Sequence, residues 1–130
     1  MIIWVSFLVW CVFSIVEGIR DGIFYFHYNH KFPRTFNEHI IFIIERSLMA
    51  GVLIYVTNWW FIIPMVLSFS FIHNGVYYTT RNHLDNNLYE KKFWDQSETS
   101  TSIFTDIMTP LVRTVLFLLS LVSLLIINYL

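Results

Sequence analysis

Glu17, Glu45, Arg46, His73 and Arg113 each lie inside or at the edge of a long apolar stretch. An ionised side chain at the centre of a bilayer costs on the order of 2.5–3.5 kcal/mol on insertion scales. A chain that carries several must pair them, hydrate them or use them. Glu17, Arg20 and Asp21 recur at steps of three and four, with His27 further along the same stripe, so they share one helical face. Glu45 and Arg46 are neighbours in sequence, about 100° apart on a helix, so each needs a partner on another element. The carboxylates of the first stretch suit Arg46 and Arg113. Arg20, Arg113 or His73 suits Glu45.

Two kinds of chemistry fit these residue types. Glu17, Asp21, Glu45 and His73 suit a proton or a cation, since intramembrane carboxylates and imidazoles form relays. Arg46, Arg81 and Arg113 suit an anion. A plainer alternative is a neutral network that fixes helix register, because Glu17, Arg20, Asp21, Glu45, Arg46 and Arg113 balance in formal charge. The candidate ligand- or ion-binding set is therefore Glu17, Arg20, Asp21, Glu45, Arg46, His73, Arg81 and Arg113.

His27, His39, His73, Glu17 and Glu45 form a weaker metal set. Neutral imidazoles with carboxylates suit zinc, iron or manganese. Helical carboxylate sites usually add a Glu-x-x-His pair, and this chain has none. It also lacks HExxH and G-x-S-x-G. Cys11 is the single cysteine, which excludes an intrachain disulfide and a cysteine-cluster zinc site. The residues leave the cofactor, if any, open.

The elements that must position these residues are membrane helices. Apolar residues make up 56% of the chain and charged residues 13%, about half the usual share for a soluble domain. A net charge of −1 offers no basic surface for nucleic acid. One integral membrane domain, 1–130, is expected, with spans at about 2–26, 36–56, 59–80 and 110–129 and a polar loop over 81–102. The fold class is thus an all-α membrane protein, a four-transmembrane-helix bundle with a polar cytoplasmic loop between helices 3 and 4. The start lacks a basic leader region and a small-x-small cleavage step before Glu17, so the first stretch reads as a retained span.

Local signals set the ends. Thr35 to Glu38 fits a capping box. Thr57-Asn58 is a tight turn, and Thr109-Pro110 reads as cap and first residue of the last helix. Residues 103–108 fit a short interfacial helix, and 97–102 a hydroxyl-rich linker. Asn74-Gly75 is a place where the third helix could break. Gly18 and Gly22 predict close helix approach within the chain rather than a dimer.

Lys31, Arg34, Arg81, Lys91 and Lys92 fall in the loops after spans one and three. The positive-inside rule then puts those loops in the cytoplasm and both termini on the other side. Counted from that other side, Glu17 lies ~22 Å deep, His73 ~20 Å, Arg113 ~25 Å, and Glu45 and Arg46 ~17–20 Å. One layer in the cytoplasmic half is expected to hold them all.

The leading functional expectation is binding or transport of an ion, a proton or a small polar ligand. An accessory subunit of a larger membrane complex and a metal-dependent membrane-embedded enzyme are the alternatives. Lipid is the certain partner, and a homo-oligomer or larger complex the other candidate.

Overall fold

The computed structural model describes residues 1–31, 38–95 and 107–129, with backbone alone for 28–31 and 38–39. Helix α1 spans Ile2–Lys31, α2 Glu38–Val56, α3 Ile62–Leu84 and α4 Pro110–Tyr129, with a 3-10 turn at Trp59–Phe61 before α3. No strand occurs among the described residues. Ile2–His27, Trp59–Leu84 and Pro110–Tyr129 are long and apolar enough to cross a membrane. The chain is built as a multi-pass integral membrane protein. Helix α2, at 19 residues, is the short one.

Helices α1 and α3 form the central pair and run parallel, with Trp10 beside Met65, Gly18 beside His73 and Gly22 beside Thr80. Near one end Trp10 Nε1 donates to Met65 O at 3.1 Å and Ser68 Oγ at 3.2 Å. Toward the other end a Cβ on Gly18 would sit 2.8 Å from His73 O, and one on Gly22 2.9 Å from Thr80 Cβ. The two backbones touch because these residues are glycine. The pair Gly18/Gly22 is therefore used inside the chain. Helix α4 covers the first half of α3, and Phe7, Trp10, Leu53, Phe61, Met65 and Leu124 form the apolar core at the end holding Ile2 and Tyr129. Helix α2 is peripheral: among its described side chains, only Phe42 and Leu53 are buried.

Two helices outrun their expected ends. Helix α1 continues from Phe26 to Lys31, since hydrogen bonding along a helix does not stop where apolar residues stop and the first breaker is Pro33. Helix α3 continues past Thr80 to Leu84 and ends at Asp85, whose backbone is extended. Asp85 Oδ1 then accepts from the backbone of Asn87 and Leu88, a local turn that sends the chain back along α3. Helix α3 runs unbroken through Asn74-Gly75. Gly75 serves another purpose: a Cβ there would lie 2.5 Å from the Phe93 ring, so the glycine makes room for the returning segment.

Thr109 caps α4, with its Oγ1 accepting from Val112 N at 3.3 Å, and Pro110 is the first helical residue. The Thr35–Glu38 box, the 97–102 linker and most of the 103–108 helix lie outside the described residues.

Packing of α1 on α3 generates a direct test. Gly18→Ala and Gly22→Ala should destabilise the protein by about 1–3 kcal/mol each, the usual cost of over-packing. Gly51→Ala should leave it unchanged, because a Cβ there meets nothing within 4 Å. Unfolding titrations in mixed micelles would read the difference.

Candidate functional site

Midway along the bundle three helices present charge to one another. From α1 come Glu17, Arg20 and Asp21, successive members of its inward stripe. From α2 come Glu45 and Arg46, and from α3 comes His73. Arg46 is the hub. Its Nε donates to Glu17 Oε2 at 2.7 Å and its Nη2 to Asp21 Oδ2 at 3.0 Å. Arg20 bends back over its own helix. Its Nη2 lies 3.1 Å from Glu17 Oε1 and 3.0 Å from Asp21 Oδ1, and its Nη1 pairs with Glu45. Each α1 carboxylate thus accepts from both arginines, through one oxygen apiece.

Aromatic rings floor the cluster. The guanidinium of Arg20 stands 4.6 Å over Phe42 and that of Arg46 4.9 Å over Phe69. Such contacts stabilise a desolvated cation by about 2 kcal/mol. The His73 ring also stacks on Phe69, with 4.7 Å between centroids.

His73 has two kinds of neighbour. Its Nε2 is 3.0 Å from Asp21 Oδ2 and 3.3 Å from Arg46 Nη2, and its Nδ1 is 3.2 Å from Asn74 Oδ1. A ring nitrogen can donate to the carboxylate or accept from the guanidinium, not both at once. Nε2 therefore has two alternative partners, the Asp21 carboxylate and the Arg46 guanidinium, while Nδ1 faces Asn74.

The charge count sharpens the point. Three carboxylates face two guanidiniums in this cluster, leaving one negative charge in excess. Arg113, expected to balance the set, is elsewhere. It is 1% exposed, and its guanidinium donates to the carbonyls of Phe71, Phe93 and Asp95 at 3.0–3.2 Å. No carboxylate meets it among the described residues. It ties the segment after α3 to the start of α4, with Phe93 and Trp94 packed against Phe71. Arg81 is also apart from the cluster. Its Nη1 donates to Tyr77 Oη at 2.6 Å, and its guanidinium lies 3.8 Å over the Tyr89 ring.

The structure therefore brings together Glu17, Arg20, Asp21, Glu45, Arg46 and His73, and leaves Arg81 and Arg113 out. Of the metal set, His27 is exposed and the side chain of His39 lies outside the described residues. No group of three or more His, Cys, Asp or Glu is placed to hold a metal ion among the described residues. Sequence reasoning missed the Phe42 and Phe69 floor, the Asn74 contact and the Arg113 tether. Nothing in the apolar pattern distinguishes a phenylalanine beneath a guanidinium from one facing lipid.

No family model, curated protein or solved structure matches this chain.

The bonding pattern ranks the arginines. Arg46→Leu removes one of the two donors shared by the buried Glu17 and Asp21, and should cost about 3–5 kcal/mol, as breaking a buried pair does. Arg20→Leu should cost less, because its side chain is 38% exposed. Thermal unfolding in lipid nanodiscs would order the two variants. Arg113→Met should keep the cluster intact and free the returning segment, seen as faster amide exchange over residues 89–95.

Proposed function

We propose that this chain is a four-span membrane protein whose buried cluster takes up and releases a cation, a proton in the first instance, as part of binding or transport. The observation that carries the reading is the unbalanced cluster with His73 at its edge. With protons on both Nδ1 and Nε2, His73 is a cation that donates to Asp21 and the cluster is neutral. Without the proton on Nε2, that nitrogen is free to accept from Arg46, and the carboxylates keep one negative charge. The two states exchange one hydrogen-bond partner of one ring for another, a small motion in a crowded site. A single excess charge among fixed donors is what a proton-handling site in a membrane needs.

Helix α2 supplies the fourth span. Its 19 residues reach ~28 Å, close to the ~30 Å of a hydrocarbon core. Ile, Leu and Val make up most of its exposed surface. The basic residues Lys31, Arg34, Arg81, Lys91 and Lys92, at the ends of α1 and α3 and in the segments after them, favour a cytoplasmic site for that end of the bundle, with both termini on the opposite side. On that orientation the cluster lies in the cytoplasmic half.

Proton flux into sealed liposomes, followed with an internal pH dye under an imposed potential, tests the reading. The intact protein should carry protons. Asp21→Asn, Glu17→Gln and His73→Gln should abolish the flux while still inserting and keeping their helical content. Glu45→Gln should weaken it, since among the described residues Glu45 meets the cluster through Arg20. A folded wild-type protein that carries none, or an Asp21→Asn variant that carries as much, contradicts the proposal.

A further inference from the structure

Arg20 and Glu45 bring the cluster to the outside of the bundle. Their side chains are 38% and 42% exposed. Glu45 lies eleven residues from the end of α2 at Val56, ~17 Å along the helix, so the pair opens near mid-bilayer. Hydrocarbon does not solvate a guanidinium or a carboxylate at that depth, and side chains so placed normally face protein or a water-filled cavity. Something polar must cover this flank.

The surface around the pair has a regular form. Ile41, Glu45, Leu48, Val52 and Tyr55 follow one another at steps of four, three, four and three. That is the spacing of a coiled-coil seam, the geometry in which two helices pack along their length. All five are exposed or half-exposed, Leu48 at 66% and Tyr55 at 91%. Four of the five are suited to lipid or to protein alike. The fifth, Glu45, is not suited to lipid, and one ionic residue in an apolar seam is a known device for fixing partner and register.

We infer that two copies of this chain pair through the α2 seam, with Arg20 of each copy meeting Glu45 of the other. Charge selects a second copy over a foreign partner. The exposed flank carries one Arg and one Glu side by side, which is complementary to itself under a twofold axis. In the dimer four alternating charges close on one another, and the outer wall of the buried cluster is completed by the second protein. The inference stands whether or not the cluster exchanges protons.

Charge reversal tests it in a way that separates contacts between copies from contacts within one. Arg20→Glu and Glu45→Arg each destroy the pair inside a copy. Across a twofold interface, however, R20E opposite E45R restores both pairs. Two differently tagged copies of the wild-type chain, co-expressed and extracted in mild detergent, should co-purify. Two tagged copies of R20E should co-purify several-fold less, as should two of E45R. R20E mixed with E45R should return to the wild-type yield. Folded variants whose mixture is no better than either alone overturn the inference, as do wild-type copies that fail to co-purify or are found only with a larger protein.

Should either reversal fail to insert, cross-linking decides. In a Cys11→Ser background, Leu48→Cys should form disulfide-linked dimers in native membranes, and Leu118→Cys on the exposed face of α4 should not. No dimer from Leu48→Cys, or equal yields at the two positions, overturns the inference.

Discussion

The contact on which this structure most depends is the double grip of Arg46 on Glu17 and Asp21. In a bilayer the hydrophobic effect does little to hold helices together, because lipid tails are as apolar as leucine. Association must come from close packing and from polar groups that lipid cannot satisfy. Helices α1 and α3 have the first, through Gly18 and Gly22. Helix α2 buries little and has no glycine contact of this sort, so the second is what it has. Two fully committed carboxylates on α1 hold Arg46, and Arg20 holds Glu45. Removing that grip would leave α2 attached by the Arg20–Glu45 pair, by Phe42 and Leu53 with the partly buried Met49, Ala50 and Ile54, and by a short turn.

The same grip explains why the site is poised. A buried ionic network stabilises little compared with apolar packing unless every member is satisfied. Here every carboxylate has an arginine partner, but three carboxylates share two guanidiniums, and His73 is the further titratable group in contact, through Asp21. The ring is held by stacking on Phe69 and by its contact with Asn74, and it is this ring that the proposed proton exchange would use. The Arg113 tether is independent of this. It uses a buried arginine to hold three carbonyls, bringing Phe93 and Trp94 against α3 where α4 begins.

Much of this arrangement is legible in the sequence, and the reasons differ by residue. The shared face of Glu17, Arg20 and Asp21 follows from helical spacing. The need of Glu45 and Arg46 for separate partners follows from their adjacency. Placing His73 at the same depth follows from counting along three antiparallel segments joined by short connections. Arg113 illustrates the limit. Its depth is readable, but its face is not, and a segment of the polar loop reaches it before any carboxylate does. Nor does Gly75 disclose its role: a glycine beside asparagine reads as a break, whereas it is a seat for a ring eighteen residues away. Contacts between a helix and a returning loop leave no periodic trace.

Nitrogen-15 NMR of ring-labelled His73 in lipid bilayers tests the central claim most directly. At neutral pH the account predicts a ring protonated on both nitrogens, hydrogen-bonded through Nε2, that becomes neutral in Asp21→Asn. A wild-type ring that is neutral, and whose signals do not change when Asp21 is replaced, would contradict it.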